Sequence, residues 1–186
     1  MEAGCDLAEE QETVLRAQKG EHAAFSRLVD AYDRRLLYFV RRIVGESDLA
    51  FDVLQNVWLI VHRRLRGLAS PQAFRVWIYR IAHDQAVGEL RKKIRRPVTI
   101  EDIEAGAVES PNRGEFEADF DNAELVHIGL QRLSLDHRRI LTLYYLEGMK
   151  VGEIADVLSC HDGTVKSRLH HARIALRHQI EELEDG

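Results

Sequence analysis

Residues 151–180, VGEIADVLSCHDGTVKSRLHHARIALRHQI, leave little freedom in how they fold. Ile154 and Leu158 stand one turn apart with Ala155 beside them. After a break at Ser159–Gly163, too short for anything but a turn, Val165, Leu169, Ala172, Leu176 and Ile180 recur every three or four residues. That is the period of α-helices with one apolar face. Off the stripe lie Lys166, Ser167, Arg168, His170, His171 and Arg173, donors of the kind that reach phosphates and base edges. A short helix, a tight turn and a longer basic helix make a helix-turn-helix, whose second helix enters the major groove. The same pattern also suits an αα-hairpin whose basic face is only solvated.

The rest of the chain is helical by the same test. Asp6-Leu7-Ala8-Glu9 has capping-box spacing and predicts the start of a first short helix that Gly20 ends. From Glu21 to Val44 the apolar residues Phe25, Leu28, Val29, Tyr32, Leu36, Phe39, Val40 and Ile43 keep helical spacing, and Gly45 stops the run. Ser47 is placed to cap a third helix that reaches about Arg66, and Gly67-Leu68-Ala69 breaks it. Ser70-Pro71 puts a capping hydroxyl and a first-turn proline at the head of a fourth helix, running to about Lys93 before Pro97. Helical pattern resumes at Asn122, and Ser134 is placed to cap a helix that stops near Gly148. No stretch alternates as a strand does. The reading is all-α: two small helical bundle domains, 1–97 and 122–186, joined by a flexible acidic linker at 98–121, with the helix-turn-helix in the C-terminal one.

Charge sharpens this division. Residues 62–97 hold ten Lys/Arg against two acids, and residues 101–124 hold nine acids against one arginine. A basic block followed by an acidic one suggests a nucleic-acid surface beside a solvated tether, or a tether that shields that surface. The overall charge of −5 argues against an indiscriminate nucleic-acid binder. No apolar run approaches the ~20 residues of a membrane span, and the acidic N-terminus has no secretory character. Cys5 and Cys160 fit no metal-ligand spacing and read as free thiols of a reducing cytoplasm.

Residues 143–173 resemble the C-terminal DNA-reading region of bacterial sigma factors of the extracytoplasmic-function group. Glu153-Ile154-Ala155, Leu158 and Gly163-Thr164-Val165-Lys166-Ser167-Arg168-Leu169 carry the match. Far upstream, and in the right order, Leu15-Arg16-Ala17-Gln18-Lys19-Gly20, Asp52-Val53-Leu54-Gln55 and the run 74–82, FRVWIYRIA, resemble the N-terminal region of the same group.

The resemblance implies promoter recognition without catalysis and without cofactor or metal. Its partners would be core RNA polymerase, through the clamp helices of the largest subunit and the flap of the second, promoter DNA as duplex and as single strand, and an anti-sigma factor. Lys166, Ser167 and His171 fall where the family reads the minus-thirty-five element, with Thr164, Arg168 and Arg173 supporting. Many members carry arginine at the His171 position, and histidine cannot reproduce the bidentate guanine contact. The loop Arg66-Gly67-Leu68-Ala69-Ser70 falls where the family captures a flipped minus-ten base, so Arg66, Leu68 and Ser70 are candidate contacts. Arg75, Arg80, Arg91, Lys92 and Lys93 on the next helix suit a single-strand backbone. Asp84 replaces a common asparagine and Gly88 a usual polar residue, which predicts an unusual minus-ten preference. Asp52, Gln55 and Asn56 fall in the polymerase-gripping block, where Asn56 replaces a usual glutamate. Trp77 reads as core, and Ile174 as an isolated exposed apolar residue.

Two other readings fit parts of the chain. A helix-turn-helix regulator that never joins the polymerase explains residues 122–186 but not the upstream blocks. A metal-dependent phosphohydrolase rests on adjacent His83-Asp84, with His62 as the nearest further ligand. Adjacent helix residues point ~100° apart, which counts against it.

Overall fold

The computed structural model describes residues 2–45, 47–95 and 128–184. The Pro97 stop, the acidic linker and the helical restart at Asn122 lie outside those residues, as do the side chains of Cys5, Asp6 and Ser47. Among the described residues there are helices and turns and no strand.

The N-terminal half is built from α1 (Glu2–Gln18), α2 (His22–Val44), α3 (Ser47–Arg64) and α4 (Phe74–Arg95). Helix α1 begins at Glu2, so Asp6 lies inside it and is not its N-cap. Helix α2 supplies the spine. Leu28, Tyr32, Leu36, Phe39, Val40 and Ile43 are all buried, and α1, α3 and α4 pack around them. Gly45 ends this helix with φ 78°, its N–H donating to the Arg41 carbonyl at 2.9 Å. A residue with a Cβ is strained in that conformation.

Two aromatic rings of α2 and two of α4 lock the bundle. Tyr32 meets Phe74 edge-on at 5.4 Å, and Phe39 meets Tyr79 at 5.4 Å. Burial pushes the Tyr32 phenol up, and the hydrogen bond it donates to Glu10 at 2.6 Å adds to the shift. Tyr79 is fully buried in the core.

Between α3 and α4 the chain makes two tight turns, Leu65–Gly67 and Pro71–Ala73. The expected Ser70 cap is not made. The Ser70 hydroxyl donates to Gln72 Oε1 at 2.6 Å, and its carbonyl accepts from the Ala73 N–H at 3.0 Å.

The C-terminal half contains α5 (residues 128–132), α6 (Leu135–Leu141) continued by a π-helical turn (Thr142–Leu146), α7 (Val151–Leu158) and α8 (Asp162–Glu184). Ser134 caps α6 as expected, accepting from the His137 N–H at 3.3 Å. Asp162 and Gly163 belong to α8 and not to the turn, which narrows to residues 159–161, with Ser159 at φ 51°. Most of the helix-turn-helix stripe is buried as read: Ile154, Leu158, Val165, Leu169 and Ala172 lie in the core, while Leu176 and Ile180 towards the end of α8 are half-buried.

The two halves are docked. Helix α4 packs on α7 and α2 on α6, and the buried apolar residues of both halves form one cluster. Two tethered bundles are free to close on each other or to separate, and here they are closed.

Candidate nucleic-acid interface

The loop between α3 and α4 is held from behind. Gln18, at the end of α1, donates its amide to two loop carbonyls, Leu65 at 3.0 Å and Leu68 at 2.7 Å. Gln72 reaches back to Gln11 of α1 at 3.1 Å. One side-chain amide thus fixes both ends of the bend. In front of it, Arg63, Arg64, Gly67, Leu68, Ala69 and Trp77 line a concavity of about 430 Å³. Trp77 was read as core; it is half-buried, with its ring tilted on Phe74 at 6.2 Å and the rest facing this concavity. The arrangement pairs an aromatic wall with two exposed guanidiniums, which suits an unstacked base and its phosphates. Of the predicted loop residues, Leu68 lines the concavity; Arg66 is exposed and Ser70 half-buried beside it.

Along α4 the predicted residues separate. Arg80, Asp84, Arg91 and Lys92 are exposed, and Lys92 also pairs with Glu89 at 2.6 Å. Asp84 lies 3.3 Å from Nδ1 of His83. His83 itself is buried, with Nε2 at 3.1 Å from the Arg139 guanidinium of α6. Burial first and Arg139 second hold its pKa below the ordinary value. Among the described residues no group of three or more His, Cys, Asp and Glu is placed to hold a metal ion. Gly88 looks into open space.

Arg75 does not face solvent with the others. Its guanidinium donates to the Glu147 carbonyl at 3.2 Å and meets both carboxylate oxygens of Glu153, at 3.1 and 3.2 Å. Glu153 also accepts from the Lys150 N–H at 2.7 Å, and so caps the start of α7 while it holds Arg75.

On α8, Lys166, Ser167, His170 and His171 form one exposed face, because residues three and four apart share a side of a helix. Thr164 is half-buried at its edge. Two predicted contacts are engaged within the protein. Arg168 lies 3.8 Å from Asp136, and Arg173 stacks over Tyr144 at 5.1 Å and Tyr145 at 5.6 Å. Ile174 is exposed, as read.

On α3, Asp52, Gln55 and Asn56 are exposed together, and the sequence reading missed their apolar neighbours. Phe51 and Leu59 on the same helix are 46% and 53% exposed, which makes this face partly greasy. Their spacing of four residues on either side of Gln55 is the signal that could have found them.

Family comparison covers both halves. Residues 28–96 match the model for Sigma-70 region 2, and residues 129–176 match the model for Sigma-70, region 4. The RNA polymerase sigma-H factor of Pseudomonas aeruginosa is 34% identical over 94% of this chain and 95% of its own length. The ECF RNA polymerase sigma-E factor of Escherichia coli K12 is 32% identical over 94% of this chain and 95% of its own. Among solved structures, the sigma factor RpoE of Bartonella quintana, in complex with the anti-sigma factor NepR, superposes with TM-score 0.70 at 21% identity, covering 84% of this chain and 96% of that one.

Proposed function

This chain belongs to the extracytoplasmic-function group of RNA polymerase sigma factors, and from that premise we propose how its two halves divide the work of starting transcription. It directs promoter-specific initiation by core RNA polymerase and has no reaction of its own. The N-terminal half captures a minus-ten base in the concavity beside Leu68 and Trp77, with Arg63, Arg64 and Arg66 on the adjoining phosphates. Unstacking a base costs a few kcal/mol, so the fit of this concavity selects which sequence opens. Arg80, Arg91 and Lys92 follow the single strand, and Asp84 accepts from a base amino group. The C-terminal half presents Lys166, Ser167 and His171 to the minus-thirty-five duplex.

The observation that carries the reading is the braced loop, with a concavity flanked by guanidiniums and an aromatic ring. The exposed α3 face with Asp52, Gln55, Asn56, Phe51 and Leu59 is proposed to meet the clamp helices of the polymerase. The flap of the second subunit would meet the C-terminal half. The Bartonella quintana relative was solved with an anti-sigma factor, and control by such a partner is proposed here too, in the cytoplasm. No helix among the described residues is long and apolar enough to cross a membrane.

Runoff transcription with core polymerase and a library of promoters tests all of this. The wild-type chain is expected to select a defined promoter pair, and Asp84→Asn to shift the minus-ten preference while Lys166→Ala weakens the upstream one. Failure to start on any template, from a folded chain, would reject the reading.

A further inference from the structure

Glu147 is a carboxylate of the C-terminal half buried in the N-terminal half. Its side chain is 3% exposed, and Oε2 lies 2.7 Å from the Arg35 guanidinium of α2. Burial first and the Glu147 carboxylate second push the Tyr79 hydroxyl up. Burial would lower the Arg35 pKa, and Glu147, with Tyr79 and Tyr32 behind it, more than offsets it. Backbone geometry delivers the residue to this place. The π-helical turn Thr142–Leu146 lets the Glu147 N–H reach the Thr142 carbonyl at 3.1 Å, and Gly148 at φ 61° then turns the chain away. A π turn rotates the residues after it by about one position, ~100°, relative to an uninterrupted helix.

Around Glu147 the contacts between halves are polar and specific. Arg75 grips the Glu147 carbonyl and the Glu153 carboxylate, Arg138 donates to the Arg42 carbonyl at 3.4 Å, and Arg139 meets His83. Arg75 is thereby withdrawn from the single-strand surface. Size makes the same point. A compact chain of this length has a radius of gyration of ~16 Å, hence a span of ~40 Å. Elements named minus-ten and minus-thirty-five lie ~25 base pairs apart, or ~85 Å at 3.4 Å per pair. The docked form cannot touch both.

We infer that the free chain latches itself shut by seating Glu147 against Arg35, with Arg75 clasped by Glu153, and that this latch must open before both promoter elements are read. The inference rests on the sigma-factor reading for the use of the covered surface, but not for the closure itself. The pair is one-sided: the Glu147 carboxylate is buried and depends on Arg35 to offset its desolvation, while the Arg35 side chain is 46% exposed and keeps access to water. A latch of this kind holds one geometry and yields to a competitor that offers the same charges.

The test uses the full chain with Cys5→Ser and Cys160→Ser, labelled at Asp30→Cys on α2 and Arg177→Cys on α8, both exposed. The interlabel distance distribution of the free chain is expected to be short and narrow, and Glu147→Gln to lengthen and broaden it, raising the open fraction ~tenfold or more. Glu153→Gln, which keeps an acceptor for the α7 cap, should shift it in the same direction and by less. A fluorescein-labelled poly-thymidine strand should bind Glu147→Gln several-fold more tightly than Asp156→Asn, a variant with the same charge change on an exposed position. A distribution that is already broad in the wild-type background, or that stays narrow in folded Glu147→Gln, overturns the latch. Runoff transcription with the same proteins judges the sigma-factor reading separately: loss of initiation with an intact distance shift would fall on that reading, not on this one.

Discussion

Protonating His83 would set a positive ring beside the Arg139 guanidinium, with Asp84 on its exposed side and Arg91 farther along the same helix. Its pKa in the folded chain lies below the ordinary 6.5, so between those values the unfolded chain binds more protons. Stability from this residue is therefore complete above pH 6.5 and is lost as pH falls through the folded value. The urea midpoint of the wild type should drop below that pH more steeply than that of His83→Gln, which keeps an acceptor for Arg139. Equal slopes in the two proteins would show that His83 does not govern the acid response. Gln18 makes the second residue-scale case. Gln18→Ala removes two hydrogen bonds to loop carbonyls, at about 0.5–1.5 kcal/mol each. Melting temperature should fall by several degrees, and discrimination between minus-ten sequences should weaken in runoff assays. Gln18 was part of the recognised block, yet no local pattern assigns a role to an amide whose acceptors lie 47 and 50 residues away.

At the scale of elements, periodicity and punctuation made most helices legible. Helix α2 ends at Gly45 and α6 starts after Ser134, where glycine and a capping hydroxyl mark the boundary chemically. Gly45→Ala should cost about 1–2 kcal/mol, since φ 78° suits no residue with a Cβ, and Ser134→Ala about 1 kcal/mol. Urea denaturation followed by circular dichroism measures both. The misplaced ends, at Asp6 and at Asp162-Gly163, share a cause. Polar residues that favour caps also sit inside first turns, and composition does not separate the two. The π-helical turn had no signal at all, because Thr142–Leu146 carries an ordinary apolar pattern and only its hydrogen bonds differ.

For the whole molecule, two helical units were legible, whereas the residues that dock them were not. Arg75 and Glu153 lie 78 residues apart, and each reads alone as a solvated charge. Glu147, one residue before a glycine, looks like the exposed end of a helix, although it is among the most deeply buried charges described. Docking makes unfolding a shared event, and the tryptophans report on it. Trp58 and Trp77 both lie in the N-terminal half, whereas circular dichroism follows helices in both. In wild type the two signals should trace one transition in urea, and in Glu147→Gln they should separate. Coincident curves in the variant would mean that Glu147 does not join the halves. Gln18 grips the loop from α1, away from the concavity that the loop borders. A lineage can therefore drift toward a new set of start sites by substitutions behind that surface, leaving every nucleotide-facing residue untouched.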